Sequence, residues 1–167
     1  DASAARGDNR ASRGGYGRPR GAELACCRER AADLVFEPEV DEMYPHPQRV
    51  YVESPALAEY LCGMHRPGHF RGVATVVTKL FNMVQPDCAY FGQKDYQQLQ
   101  VVRRMARDLD FPGEIIACST AREPNGLAMG SRNRQLSAEE RQSALALSRG
   151  PAAARQLCVQ GRAQRRR

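Results

Sequence analysis

A chain of 167 residues, 42% of them hydrophobic, is long enough for one domain with a core, since a domain of about 150 residues buries roughly 68 to 70% of its unfolded surface. It has no run of the roughly 20 apolar residues that a membrane span needs, no charged-then-apolar leader and no cysteine pair at zinc-binding spacing, so we expect a soluble cytoplasmic protein. The net charge of +6 would suit a nucleic-acid partner only if it formed a basic face.

The positive charge lies at the two ends of the chain. Residues 1–20 carry five Arg and two Asp, and residues 149–167 carry six Arg and no acid, so the ends total +9 and the 128 residues between them carry −3. Both ends are rich in Ala and show no helical or strand periodicity. We therefore predict disordered tails at 1–21 and 150–167 around a patterned body at 22–149, with a basic-tailed nucleic-acid binder as a remote alternative.

The patterned body opens with short elements. Residues 22–32 are a modest helix candidate, and the apolar runs at 33–36 (DLVF) and 50–52 (VYV) predict two short buried strands on either side of the turn-rich YPHPQ. Ser54 before Pro55 matches a helix N-cap followed by proline at the first helical position. That helix is expected to run to about Cys62 and to end at Gly63.

The strongest periodicity follows in the second half of the body. Apolar residues at 73, 76, 77, 80, 81 and 84 predict an amphipathic helix that stops before Pro86. A strand at 87–91 (DCAYF), a helix at 96–107, a strand at 114–118 (EIIAC) and a helix from 138 to about 148 follow, the last opened by a capping box at 137–140. Strands and helices alternating at this spacing are typical of right-handed β-α-β units, so the predicted fold class is α/β, with a parallel sheet and flanking helices.

The turn after the predicted strand at 87–91 has the composition of a phosphate site. Ligands of parallel sheets bind at the carboxyl ends of the strands, where the next helix offers free backbone N–H groups to an anion. Gly92 allows close backbone approach, Lys94 would place a cation beside phosphate, and Asp95 could cap the helix or accept a ribose hydroxyl. A Gly-x-Lys-Asp turn also occurs where nothing binds. A second loop, GLAMGSRNR at 126–134, carries Gly, Ser and Arg and would form the opposite wall of a triphosphate site.

Other polar side chains have two interpretations each. Gln97 and Gln98 follow the turn, where an amide can hydrogen-bond a hydroxy acid or simply face solvent. His69 could contact a substrate, although a loop histidine is more often solvated or structural. The three histidines and six cysteines give no metal-ligand set and no nucleophile–histidine set, so no metal ligand is predicted.

Several long motifs resemble a known family in the right order. The runs HRPGHFRGVATVVTKLFNMVQPDCAYFGQKDYQQLQVVRRM at 65–105 and REPNGLAMGSRNRQLSAEER at 122–141, with DLVFEPEVDEMYP at 33–45, are similar to pantothenate synthetase, also called pantoate-β-alanine ligase. The resemblance covers about residues 22–149. It implies an incomplete Rossmann-like nucleotidyltransferase fold of the HIGH superfamily. It also implies a homodimer that uses ATP and Mg²⁺ to join pantoate to β-alanine through pantoyl adenylate, giving pantothenate, AMP and pyrophosphate.

The resemblance also implies roles for individual residues. Lys94 is expected to meet phosphate, Asp95 and Gly92 the ribose, and Gln98 matches the family's pantoate-binding Gln. The expected catalytic residues are Lys94, Ser131 and Arg132. The expected ATP-binding residues are Gly92, Gln93, Lys94, Asp95, Ala121, Met129, Gly130, Ser131 and Arg132. Gly130 stands where the family's Met-Ser-Ser-Arg loop has its first Ser, and Arg66 and His69 lie in a segment that resembles the substrate-side loop.

Two parts of the family pattern have no counterpart in this sequence. Residues 1–21 match neither the His-x-Gly-His-type motif nor the pantoate-binding Gln that follows it, and the smaller C-terminal domain is not seen. Transition-state donors of one site act as a unit, so losing several of them should cost most of the rate. We therefore expect a partial ligase, and a catalytically dead ATP-binding remnant is the alternative.

Overall fold

The computed structural model describes residues 20–161, and the predicted tails at 1–19 and 162–167 lie outside them. Residues 20–89 with 97–115 form one compact unit, unit 1, and residues 90–96 with 116–161 form another, unit 2. The helices are α1 (Arg20–Glu29), α2 (Val40–Met43), α3 (Pro55–Ala58), α4 (Cys62–His65), α5 (His69–Val84), α6 (Tyr96–Asp108), α7 (Ala138–Ala144) and α8 (Ala146–Val159). The strands are β1 (Cys88–Gly92) and β2 (Glu114–Cys118), and single 3-10 turns span Gln93–Asp95 and Ser131–Gln135.

The β-α-β unit predicted in the second half of the body is present. β1 and β2 pair as a two-stranded parallel sheet, and α6 is the crossover between them. β1 alternates between exposed and half-buried residues, and β2 has three half-buried residues between two exposed ends, so both strands are less buried than their apolar sequences predict. The paired strands give the carboxyl end of β1 a fixed position, which is where the predicted phosphate turn begins.

The core of unit 1 lies on α5 and α6, the two helices with the strongest apolar periodicity. Leu99, Val101 and Val102 of α6 are fully buried. Across the helix pair, the Thr78 hydroxyl donates to the Met105 sulfur at 3.1 Å. Phe70, Ala74 and Phe81 are the buried apolar residues of α5. Of the predicted stripe, Phe81 is buried, residues 73, 76, 77 and 80 are half-buried and Val84 is exposed, so the most buried face is rotated from the predicted one.

The start of β2 approaches the end of α5 so closely that only glycine fits between them. A Cβ at Gly113 would lie 2.3 Å from the Pro86 carbonyl oxygen. The Glu114 N–H then donates to the Asp87 carbonyl at 2.8 Å. Phe81 of α5 stacks on Phe111 with ring centroids 4.2 Å apart. This packing places the beginnings of the two strands side by side.

The two strands predicted at 33–36 and 50–52 are wrong. Both segments are irregular, and Leu34 and Val50 are 83% and 80% exposed. The Val52 N–H donates to the Thr75 hydroxyl oxygen of α5 at 3.0 Å, instead of to a strand. A short extended segment needs a neighbouring strand for its backbone hydrogen bonds, and within residues 20–161 neither segment has one.

The helix predicted from Ser54 to Cys62 starts as expected but ends too early. It is α3, four residues long, and a second short helix, α4, follows. Gly63 lies buried inside α4 and does not terminate the first helix. A Cβ at Gly63 would lie 1.7 Å from the Ala58 carbonyl oxygen, so the two short helices can approach this closely only through glycine.

The last predicted helix begins with the expected capping box, and the helical region extends further along the chain than predicted. The Glu140 N–H donates to the Ser137 hydroxyl at 3.2 Å, and the Ser137 N–H donates to the Glu140 carboxylate at 2.8 Å. After α7, α8 continues past Pro151 to Val159. Residues 150–159 are therefore helical where a disordered tail was predicted, and residues 20–21 likewise lie in α1. The alanines at 152–154 explain the difference, because alanine has the highest intrinsic helix propensity.

The buried face of α6 gives a stability prediction with a matched control. Leu99→Ala is expected to lower the free energy of unfolding by about 2–5 kcal/mol, because its side chain is buried and leaves a cavity. Leu109→Ala, at a position that is 53% exposed, makes the same chemical change and is expected to cost less than about 1 kcal/mol. Urea titration followed by far-UV circular dichroism measures both, and equal losses would contradict the burial of this face.

Candidate active site

The first part of the candidate site is the turn at the end of β1. Gly92 is extended, with φ of −70°, and a Cβ at this position would meet no heavy atom within 4 Å. The 3-10 turn Gln93–Asp95 follows directly and exposes Lys94 and Asp95. α6 then begins at Tyr96, where the first N–H groups of a helix lack intrahelical acceptors. The turn therefore offers an open backbone, a cation and a helix start at one place.

The second part is a closed loop at 121–129 that belongs to the same unit as the turn. The Met129 N–H donates to the Ala121 carbonyl at 2.9 Å, and the Glu123 N–H donates to the Leu127 carbonyl at 2.8 Å. Gly126 makes the reversal with φ of +93°, in the left-handed region that favours glycine. The loop thus has paired ends and a defined tip, and it leads straight into Gly130.

Lys94 joins the two parts. Its ammonium donates to the Met129 carbonyl oxygen at 3.0 Å. A Cβ at Gly130 would lie 2.6 Å from the Lys94 Nζ atom. The glycine therefore leaves room for the lysine to rest on the loop, whereas a serine here would push the flexible lysine tip aside. Residues 92–95 and 121–132 all belong to unit 2, so the predicted ATP-binding residues lie in one compact unit.

A polar cluster behind this loop went unpredicted. Glu123, Asn133 and Arg141 contact one another and bind the turn Ser131–Gln135 to the loop. Ser131 and Arg132 are exposed at the start of that turn. The only sequence signal for the cluster is that a Glu, an Asn and an Arg flank the Gly-Ser-Arg segment, and such residues are common on surfaces.

The structure separates the two glutamines that follow the turn. The Gln97 amide donates to the Leu57 and Tyr60 carbonyls at 2.9 and 2.6 Å and accepts from the Cys62 N–H at 3.0 Å. Gln97 therefore has a structural role, which is to hold the segment between α3 and α4. Gln98 is half-buried, and its amide bonds no other side chain or backbone group among the described residues. Its assignment to pantoate stays a prediction.

Arg66 and His69 lie together in unit 1. The Arg66 Nη1 atom is 3.2 Å from His69 Nε2. Arg66 also lines an open cavity of about 210 Å³ together with Phe70 and Arg71. Arg71 pairs with Glu53 at 3.1 Å, so the cavity edge carries one compensated guanidinium. The structure thus brings the two predicted substrate-loop residues together, and their role stays a prediction.

The described part of the chain has neither a grouped metal-ligand set nor a membrane-spanning helix, and its cysteines are free. Between residues 20 and 161, no three His, Cys, Asp or Glu side chains are grouped so that they could hold a metal ion. No helix there has the length and apolar character to cross a membrane. All six cysteines fall within this part and are free thiols.

The first strand of the parallel β-α-β unit ends in a Gly-Gln-Lys-Asp turn, and the lysine of this turn bonds the loop just before Gly-Ser-Arg. The chain is therefore an α/β protein, and the solved structures that it resembles have the nucleotidyltransferase fold. A sequence model of the family described as pantoate-beta-alanine ligase matches residues 9–166. The chain belongs to the pantoate-β-alanine ligase family. The match reaches further at both ends than the resemblance over residues 22–149, and it confirms the predicted family.

Individual relatives support this membership. Pantothenate synthetase 1 of Bradyrhizobium diazoefficiens is 56% identical over 135 residues, which are 81% of this chain and 48% of the relative. The pantothenate synthetase of Moorella thermoacetica is 62% identical over 117 residues, or 70% of this chain and 41% of the relative.

Solved structures agree with the sequence comparisons. Pantothenate synthetase from Thermus thermophilus superposes with a TM-score of 0.81 and 52% identity over 87% of this chain and 53% of that chain. The ligase from Francisella tularensis, complexed with beta-gamma ATP and beta-alanine, gives a TM-score of 0.73 and 33% identity over 78% and 50%. This chain therefore spans about half the length of the relatives that it matches.

The two lysines of the chain give a matched test of the site. Lys94→Met is expected to weaken binding of a nucleoside triphosphate about tenfold, because the charge-assisted hydrogen bond that Lys94 is predicted to make to phosphate would be lost. Stability should change little, since Lys94 is exposed. Lys79→Met makes the same substitution at the other lysine, whose Nζ lies 5.0 Å from the centre of the Tyr44 ring, and should leave the affinity unchanged. Isothermal titration calorimetry measures both, and equal weakening would argue against a phosphate role for Lys94.

Proposed function

We propose that this chain is the nucleotide-binding part of a ligase that joins pantoate to β-alanine and converts ATP to AMP and pyrophosphate. Family membership over residues 9–166 supports the reaction. The observation that carries the proposal is the Lys94–Met129 hydrogen bond, because it brings the two motifs of the predicted ATP site into one unit. The Francisella relative with bound beta-gamma ATP and beta-alanine supports the same two substrates for this chain.

In the first step a carboxylate oxygen of pantoate attacks the α-phosphorus of ATP. The bond from that phosphorus to the bridging oxygen breaks, pyrophosphate leaves with the electron pair, and pantoyl adenylate forms. Lys94 would move its ammonium from the neutral Met129 carbonyl to a phosphate oxygen, since a charged acceptor forms the stronger hydrogen bond. The Ser131 hydroxyl and the Arg132 guanidinium, at the start of their 3-10 turn, would donate to the same triphosphate.

In the second step the amine of β-alanine attacks the acyl carbon of the mixed anhydride. The acyl carbon–oxygen bond to AMP breaks, the nitrogen loses a proton, and pantothenate is released. The chain contributes by holding the reactants, since positioning alone can supply about 7–11 kcal/mol of the barrier. Gln98 would hold pantoate through the donor and acceptor of its amide, while Gln97 holds the neighbouring backbone.

The proposal includes Mg²⁺, which would neutralise charge on the triphosphate when bound. Such an ion would arrive with the nucleotide and take only part of its ligands from the protein. Mg²⁺ at nucleotide sites is commonly held by one or two carboxylates together with phosphate oxygens and water. Asp95 is exposed in the turn beside Lys94, and its carboxylate would be one such ligand.

The proposal extends to assembly and location. The family resemblance supports a homodimer, and the six free cysteines suit the reducing cytoplasm. The partners would be the small molecules pantoate and β-alanine, with neither a nucleic acid nor a membrane. The −3 charge of residues 21–148 supports this choice over a nucleic-acid partner.

Gly130 favours one second candidate, an ATP-binding protein without turnover. The family's loop has a serine at this position, and its hydroxyl is absent here. Loss of one hydrogen bond costs about 0.5–1.5 kcal/mol net, and more where the acceptor is charged. Binding could survive such a loss while the rate falls, because the missing donor would act on charge that develops in the transition state.

Pantoate-dependent exchange of labelled pyrophosphate into ATP tests the proposal. We expect exchange with pantoate present and none without it. Gln98→Ala should raise the pantoate KM about tenfold and leave ATP affinity unchanged, since an amide bonded to a charged carboxylate is lost. Gln100→Ala removes an equal side chain from the same helix and should change neither. ATP binding without exchange would favour the inactive binder, and a chain that does neither would overturn the proposed function.

A further inference from the structure

Asn133 directly follows Ser131 and Arg132 and contacts the loop that precedes them. Its amide nitrogen donates to the Glu123 carboxylate at 3.0 Å and to the Ala128 carbonyl at 2.9 Å. Its backbone N–H donates to the Gly130 carbonyl at 3.0 Å. Both hydrogens of the amide group are therefore used, which fixes the orientation of the side chain.

The groups that hold Asn133 are themselves held. Arg141 of α7 donates through Nη2 to the Asn133 backbone carbonyl at 2.9 Å and through Nη1 to the second carboxylate oxygen of Glu123. The side chains of Arg141 and Glu123 are 35% and 24% exposed, so the pair is only partly screened by water. The capping box at the start of α7 anchors Arg141 in turn. A continuous chain of hydrogen bonds thus runs from a helix to the Gly130–Arg132 segment.

We propose that Asn133 is the positioning residue for Ser131 and Arg132, with Glu123 and Arg141 holding it in place. It acts through the loop and does not touch the nucleotide. Without it, the segment after Met129 would lose its bond to Ala128 and its link to Glu123, and the donors of the turn would no longer be held in one geometry. The inference rests on the proposed function only in naming ATP as the ligand.

The test compares four variants of the full chain. Asn133→Ala removes the amide. Asn133→Asp keeps its shape but sets a carboxylate against that of Glu123. The double variant Glu123→Gln with Asn133→Asp exchanges amide and carboxylate between the two positions. Gln135→Ala is the control, an exposed side chain on the same turn with no bond to another described residue.

Two readouts separate positioning from simple stabilisation. Amide hydrogen exchange over residues 129–132 in ligand-free protein reports whether the backbone of the segment is ordered. ATP affinity by calorimetry reports whether that ordered conformation is the one that binds ATP. We expect faster exchange and about tenfold weaker ATP binding in both single variants, the size of effect set by a hydrogen bond to a charged group. The double variant should recover part of both, and Gln135→Ala should match the parent chain.

A purely stabilising role would give a different pattern. Asn133→Ala would then unfold at a lower temperature, while its folded fraction kept the parent exchange rates at 129–132 and the parent ATP affinity, and that result would overturn the proposal. If Asn133→Ala does not fold, the comparison of Asn133→Asp with the double variant decides, and equal defects in the two would also overturn it. A parent chain that binds no ATP would contradict the proposed function, whereas the exchange measurement would still test the positioning role.

Discussion

The burial of one face of α6 is the constraint on which the rest of the described fold depends. Pairing two parallel strands across a long connection costs chain entropy, and the hydrogen bonds of two short strands contribute little net stability against it. Removing Leu99, Val101 and Val102 from water supplies the missing stabilisation, about 1.5–3 kcal/mol for each fully buried side chain. The paired strands then fix where β1 ends, and the turn that carries Lys94 can begin nowhere else.

The geometry of the candidate site depends on where β1 ends and on two glycines with different surroundings. Gly92 leaves open space in front of the backbone, and Gly130 leaves space that the Lys94 side chain occupies. The lysine therefore donates to a neutral backbone carbonyl of the loop that is proposed to bind phosphate with it. This hydrogen bond orders the lysine on the loop, so binding of a phosphate at the proposed site would have less side-chain entropy to remove.

The sequence pattern predicted the elements that are stabilised by interactions between residues near each other in the chain, and those of the β-α-β unit. The spacing of apolar residues was enough for α5 and α6, and the capping box at Ser137 and Glu140 was enough for the start of α7. The strands predicted at 33–36 and 50–52 failed because a strand is defined by its neighbour, which no short run of sequence contains. Composition was also a poor guide to α8. The arginine-rich end led to a prediction of disorder, whereas the alanines at 152–154 favour a helix.

Within the candidate site, the sequence predicts which residues to consider, and the structure adds the contacts that each of them makes. Gln97 and Gln98 have the same chemistry and adjacent positions, and only the path of residues 57–62 decides that the first is structural. Glu123, Asn133 and Arg141 escaped notice because their contacts depend on how a loop, a turn and a helix meet in space. The family motifs located Lys94, Ser131 and Arg132, yet a motif does not contain the groups that hold it.

The contact between Gly130 and Lys94 makes these two positions epistatic. A serine introduced at 130 meets the lysine ammonium in the present background but not in one where residue 94 is shorter, so its effect depends on the residue at 94. Substitutions that share a partner in this way are not additive. A sequence alignment that counts Gly130 only as a lost hydroxyl would miss this dependence. The change from serine to glycine also determines where the Lys94 ammonium can lie.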